Sequence, residues 1–236
     1  MKTINELLGA MTAVQKVRQL SQLSINFYQS KVQTEFTGPL HGFIPDDELR
    51  FSAGSIIGIL SAEMMREVLE NYNRKNPDGI PAVVMADVIH GYRTIFPIPL
   101  AMSCSWNCED VELACRIAAK EASACGIHVT FAPMADLVRD PRWGRVMEST
   151  GEDPYLNGLF AEAAVRGFQN GDVSAPDSLA SCVKHFAGYG APEAGREYNT
   201  VDMSEGVLRE FYLSGYQKAI EAGCELVMTA FNTVDR

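Results

Sequence analysis

Five short apolar runs recur along the chain, each followed by a helix-like stretch. That alternation narrows the fold more than any other feature. The runs are Ser55-Ile56-Ile57-Gly58-Ile59-Leu60, Ala82-Val83-Val84-Met85-Ala86, His128-Val129-Thr130-Phe131-Ala132, Leu179-Ala180-Ser181-Cys182-Val183 and Glu225-Leu226-Val227-Met228-Thr229. They are apolar on both faces, as strands of a parallel sheet covered by helices must be. Strand–helix alternation predicts an α/β fold, either an open doubly wound sheet or a (β/α)8 barrel. No Gly-x-Gly-x-x-Gly or Walker loop follows a run, so a nucleotide site is not supported. Polar residues cluster instead just after the run ends: Asp87, then Asp136 to Arg145, then Lys184-His185, then Asn232. A barrel keeps its site there. Five strands are fewer than eight, and a complete barrel needs roughly 100 more residues. The predicted fold is therefore a partial (β/α)8 TIM-type barrel, about its first five strand–helix units.

Start and stop signals place the helices. Asn107 can cap a helix with the stripe Val111, Ala114, Cys115, Ala118 and Ala122, which Gly126 ends. Asp153-Pro154 opens another that closes near Gly171, because proline at the first helical position loses no useful N–H. Asp202 and Glu205 have capping-box spacing and predict a helix running to Gly223. Residues 4 to 23 read as one helix, with Leu7, Met11, Val14, Val17 and Leu20 near one face.

The 236 residues are 47% hydrophobic, enough for one full-sized core. With 30 acidic and 20 basic residues, the net charge of -10 argues against a nucleic-acid partner. None of the six cysteines (Cys104, Cys108, Cys115, Cys125, Cys182, Cys224) forms a Cys-x-x-Cys pair. They read as free thiols, largely buried, in a reducing compartment, and give no metal-ligand spacing. Met1 to Glu6 carry no apolar leader and no stretch is apolar enough to span a membrane. A cytoplasmic protein with no cofactor and no metal is the expectation.

Four clusters can carry chemistry. In Met85-Ala86-Asp87-Val88-Ile89-His90-Gly91 the carboxylate either accepts from vicinal hydroxyls or caps a turn. The stretch Asp140-Pro141-Arg142-Trp143-Gly144-Arg145 leads into Glu148-Ser149-Thr150-Gly151-Glu152-Asp153-Pro154 and reads as an ordered loop held by ion pairs. Arg142 fits a structural role in it. Arg145, after a glycine that permits close approach, is the better ligand candidate. Val183-Lys184-His185-Phe186-Ala187-Gly188-Tyr189-Gly190 puts two polar side chains at a strand end, where burial without partners is costly. In Val227-Met228-Thr229-Ala230-Phe231-Asn232, Met228 and Phe231 are either core or an apolar wall for a sugar ring.

In their order and spacing these clusters resemble the N-terminal domain of glycoside hydrolase family 3, close to its bacterial β-glucosidases. The likeness begins at Leu7-Leu8-Gly9-Ala10-Met11-Thr12 and covers nearly the whole chain. It implies an exo-acting, retaining enzyme that removes terminal β-D-glucosyl residues from a β-glucoside or oligosaccharide. Residue by residue it implies that Asp87 binds the outer hydroxyls of the non-reducing sugar. Arg145, Lys184 and His185 would bind the remaining hydroxyls, and Met228 would line the subsite. Many members have tyrosine at the position of Phe231, so a hydroxyl contact is lost here. Retention needs two carboxylates about 5 to 5.5 Å apart. In the family the nucleophile lies in a Ser-Asp-Trp-like motif after the next strand, and the acid/base usually comes from a second domain. Neither lies before Asp235-Arg236. Residues 1–236 are therefore expected to be the N-terminal part of the catalytic barrel, without its remainder or the second domain. No catalytic residue is expected within it, and no turnover. The sequence alone points to no partner for Glu193 or Glu197 in their glycine-rich loop, and neither is expected to substitute.

Related branches fit less well. The family's N-acetylglucosaminidases carry a catalytic histidine where this chain has Tyr189, and its β-xylosidases commonly have glutamate near Asp87. A non-catalytic sugar-binding or interaction module is the alternative from another class. The resemblance also implies a non-prolyl cis peptide within Lys184-His185-Phe186. A barrel opened after its fifth strand would expose an unpaired edge, so self-association is a further expectation.

Overall fold

The computed structural model describes residues 3–28, 42–59 and 61–234, so Leu60, Met1-Lys2 and Asp235-Arg236 lie outside them. They fall into two compact units. One is built from the described residues up to Ala86 with Cys125–Ile127, the other from Asp87–Ala124 and from His128 on.

In the first unit, helices α1 (Ile4–Ala10) and α2 (Ala13–Gln19) lead into β1 (Gln22–Ser24). Helix α3 (Asp47–Arg50), β2 (Ser55–Ile57), α4 (Ala62–Lys75) and β3 (Val83–Ala86) follow. The strands pair in parallel, β1 on β2 and β2 on β3, with Leu23 opposite Ile56 and Ile56 opposite Val84. Here the sequence expectation needs correcting. Residues 4–23 are not one helix. Thr12 accepts from the Gln15 amide, and Gln15 returns the bond to the Thr12 amide. This capping box starts a second helix, and Met11 before it is extended. The supposed apolar stripe is not buried: Val14, Val17 and Leu20 are all exposed. Leu23, at its end, belongs instead to a strand and packs on Phe27 and Ala53.

The second unit holds α5 (Pro99–Ser103), α6 (Cys108–Ser123), β4 (Val129–Thr130), α7 (Pro154–Gln169) and β5 (Ala180–Phe186). It ends with α8 (Glu205–Val207), α9 (Ser214–Glu221) and β6 (Leu226–Thr229). β5 pairs in parallel with β4 on one side and β6 on the other. The predicted stripe of α6 is buried throughout, and Asn107 caps it. Asp153 caps α7 through the Leu156 amide, and left-handed Asn170 closes it. The helix expected from Asp202 starts instead at Ser204, whose hydroxyl accepts from the Val207 amide. A π-helical stretch, Leu208–Tyr212, then separates α8 from α9.

Across the described residues the strands therefore number six, one more than the sequence predicts. The described thiols are unbridged; Cys115, Cys125 and Cys182 are buried, Cys104 is exposed, and Cys108 and Cys224 are half-buried.

The core of the second unit joins β5 to its helices through Ala135, Ala161, Val165, Val183, Tyr216 and Ala219. Gly167 lets α7 approach α6 closely: a Cβ there would meet the Glu112 carbonyl oxygen at 2.4 Å and the Cys115 Cβ at 2.7 Å. Both obstacles belong to one packed helix and cannot swing aside. Gly167→Ala is expected to destabilise the protein by about 1–3 kcal/mol, although alanine is the better helix former. A melting temperature equal to or above that of the parent would contradict this packing.

Candidate functional site

β5 is buried on both faces up to His185, and Lys184 and His185 are each only 2% exposed. A cation in such a place needs partners. The backbone of Lys184 is first pinned to the segment after β4: its amide donates to the Pro133 carbonyl, and its own carbonyl accepts from Ala135. Its ammonium then reaches Asp87, with Nζ 2.5 Å from Oδ1. The Asp87 side chain keeps 51% of its surface open. The turn-capping alternative for Asp87 thus gives way to an ion pair with one open side.

His185 is gripped from behind by Asp136, itself 1% exposed. One oxygen of Asp136, Oδ2, accepts the His185 backbone amide at 3.1 Å and faces ring Nδ1 at 2.7 Å. The Tyr216 hydroxyl lies 2.9 Å from Asp136 Oδ1 and 2.6 Å from the His185 carbonyl oxygen. On the other side of the ring, Nε2 lies 3.2 Å from Arg145 Nη1.

Arg145 is held by a fork. Its Nε and Nη2 each donate to one oxygen of Glu148, both at 2.7 Å. Its guanidinium stands 5.8 Å over the Tyr189 ring. The Glu148 bond raises the guanidinium's already high pKa further. Burial pushes the Glu148 carboxyl up, but the Arg145 hydrogen bonds and charge, aided by Lys184, outweigh it and hold it below the ordinary range. Arg142 makes a separate pair with Asp140, which drops to about 2 chiefly through that hydrogen bond. The loop is thus ordered by ion pairs, with Arg142 turned to structure and Arg145 toward His185.

Asp87, Lys184, His185 and Arg145 therefore form one connected group within the second unit. Met228 does not touch that group through any described bond. It is half-buried on β6, on the same face as Leu226. Leu226 is in register with Cys182, which shares the face of Lys184 two residues on. The Lys184–His185 peptide is cis, and so is Phe186–Ala187.

Sequence reasoning passed over several members. Asp136 had no role, although a carboxylate inside the apolar stretch from Phe131 to Val138 must find donors. Glu197 has a partner after all, the hydroxyl of Tyr189. Tyr189 is fully buried and packs edge-on against Trp143 and His185. Among the described residues no group of three or more histidines, cysteines or acids could hold a metal ion. No helix of the described residues is long and apolar enough to cross a membrane.

Residues 13–236 match the family model for the glycosyl hydrolase family 3 N terminal domain. A periplasmic beta-glucosidase of Salmonella typhimurium is 36% identical over 98% of this chain and 29% of its own length. A beta-xylosidase of Formosa agariphila is 30% identical over 78% of this chain and 27% of its own. Among solved structures, a beta-glucosidase from Listeria innocua superposes with a TM-score of 0.91 at 51% identity, covering 100% of this chain and 33% of that one. With strand–helix alternation in both units, this likeness shows the fold class, α/β of the partial (β/α)8 barrel type. The chain spans about a third of the length of the relatives it matches.

Proposed function

This chain belongs to glycoside hydrolase family 3, and from that premise we propose that it supplies the sugar-binding wall of an exo-acting, retaining β-glucosidase. The observation that carries this reading is the state of Asp87. One of its oxygens is anchored by a buried ammonium while half its surface stays open. A carboxylate so held accepts hydrogen bonds from two neighbouring hydroxyls, Lys184 and Arg145 add charged donors to the same group, and His185 holds Arg145 in place. Met228 closes the apolar side. Nucleophile and acid/base are contributed, on this reading, by other parts of the enzyme. The Listeria innocua protein has been solved in complex with glucose and with laminaribiose, which supports a glucosyl unit as the ligand.

Asp87→Asn in the full-length enzyme keeps the shape but replaces one acceptor oxygen by a donor. The expected result is a rise of about tenfold in KM for an aryl β-glucoside. An aryl β-xyloside, which lacks the hydroxymethyl group, should be the poorer substrate of the parent enzyme. Unchanged kcat/KM in the variant would remove Asp87 from the site. A parent enzyme that prefers the xyloside would move the substrate class to β-xylosides.

A further inference from the structure

We infer that Asp136 is a positioning residue that fixes the tautomer of His185 and, through it, the direction of Arg145. The inference rests on the sugar-binding reading above for its functional consequence, but its geometry stands without a ligand. Two nitrogens converge on one oxygen, Asp136 Oδ2: the His185 backbone amide and ring Nδ1. A backbone N–H can only donate, so that oxygen is an acceptor. Nδ1, 2.7 Å away, then carries the ring proton. The far side of the ring demands the same arrangement. Arg145 Nη1, 3.2 Å from Nε2, can only donate, and a proton on Nε2 would set two N–H groups against each other. Nε2 therefore offers its lone pair to Arg145.

Asp136 cannot turn away from this duty. It is buried, and its second oxygen shares the single proton of the Tyr216 hydroxyl with the His185 carbonyl. The carboxylate, the phenol and the backbone of His185 thus close a ring of bonds behind the imidazole. In front of it, Glu148 holds two of the three guanidinium nitrogens and Nε2 holds the third. Without Asp136 the imidazole is free to take the other tautomer, and the third support of Arg145 becomes a repulsion. A buried partner that orients a histidine through its second nitrogen is a recurrent device, and around metal-bound histidines losing one costs about 10–100-fold.

The test combines a spectrum with a mutant cycle, both on the full-length enzyme. Ring-¹⁵N-histidine labelling separates a pyrrole-type from a pyridine-type nitrogen, and His185→Gln identifies the resonance. At neutral pH the ligand-free parent should show a protonated Nδ1 and an unprotonated Nε2 at His185. A protonated Nε2 there overturns the proposal, whatever the variants do. Asp136→Ala should mix the tautomers and lower kcat/KM by about tenfold or more, while Asp136→Asn, whose amide oxygen can still accept at that position, should restore both. In the His185→Gln background, Asp136→Ala should cost little further, because it acts through the missing ring. Full additivity would show that Asp136 only supports the fold, and would overturn the positioning role. Undiminished activity of His185→Gln alone would instead defeat the sugar-binding reading, and the spectrum would still judge the tautomer.

Discussion

Lys184→Met is expected to lower kcat/KM of the full-length enzyme on an aryl β-glucoside by about 10²–10³-fold while moving the melting temperature little. The two halves of that result have separate causes. Methionine fills the volume of the lysine stem, so β5 keeps its packing. The partner left behind, Asp87, has an open side chain and can be hydrated, so no buried charge is stranded. The ammonium itself is lost, and with it a buried charged donor. A hydrogen bond to a charged group contributes about 1.5–3 kcal/mol, and each 1.4 kcal/mol is about a tenfold change. The anchor of Asp87 goes at the same time, so a second contact proposed for the sugar weakens. Kinetics and calorimetry on the same preparation check both halves. An activity loss of about threefold or less would show that Lys184 serves only to pair Asp87.

Much of this site was legible in the sequence because its pieces lie at the ends of recognisable strands. Lys184 and His185 follow an apolar run that could only be a buried strand, and Asp87 follows another. What could not be read was who meets whom. Asp136 and His185 are 49 residues apart, and Tyr216 and Asp136 are 80. Those pairings are set by the parallel pairing of β4 with β5 and by the packing of α9, not by any local pattern. The Arg145–Glu148 pair is within reach of the sequence, since the two stand three positions apart on a 3-10 turn. It was missed because the stretch reads equally well as a general network of charges. The fold shows the same division. The runs that hold β2 to β6 carry apolar residues on both faces, whereas β1 is three residues long and buries only Leu23. Such a strand is indistinguishable from a helix end until its partner β2 is in place.

Glu148→Gln is expected to weaken both activity and stability, and the stability loss should depend on pH. The carboxylate meets Arg145 with both oxygens. A glutamine offers one oxygen and turns an N–H toward a guanidinium that can only donate. Arg145 then loses one arm of its fork and is held only by the glutamine oxygen and His185 Nε2, and the misplacement should cost up to about a hundredfold in kcat/KM. The pair is only partly exposed, with 24% and 22% of the two side chains open, so its loss should cost roughly 2 kcal/mol of stability, below the range for fully buried pairs. The sign of the pH dependence follows from the depressed carboxyl. Its folded-state pKa lies below the ordinary 4.5, so its contribution is complete well above 4.5 and is lost as the pH falls through the folded value. Below that, the parent carries a neutral carboxylic acid where the variant carries a neutral amide. Urea unfolding of parent and variant should therefore show a wide gap at neutral pH that closes in acid. A gap of constant width would mean that Glu148 stabilises by shape rather than by charge. A gap that widens in acid would mean that its carboxyl is raised rather than lowered by burial.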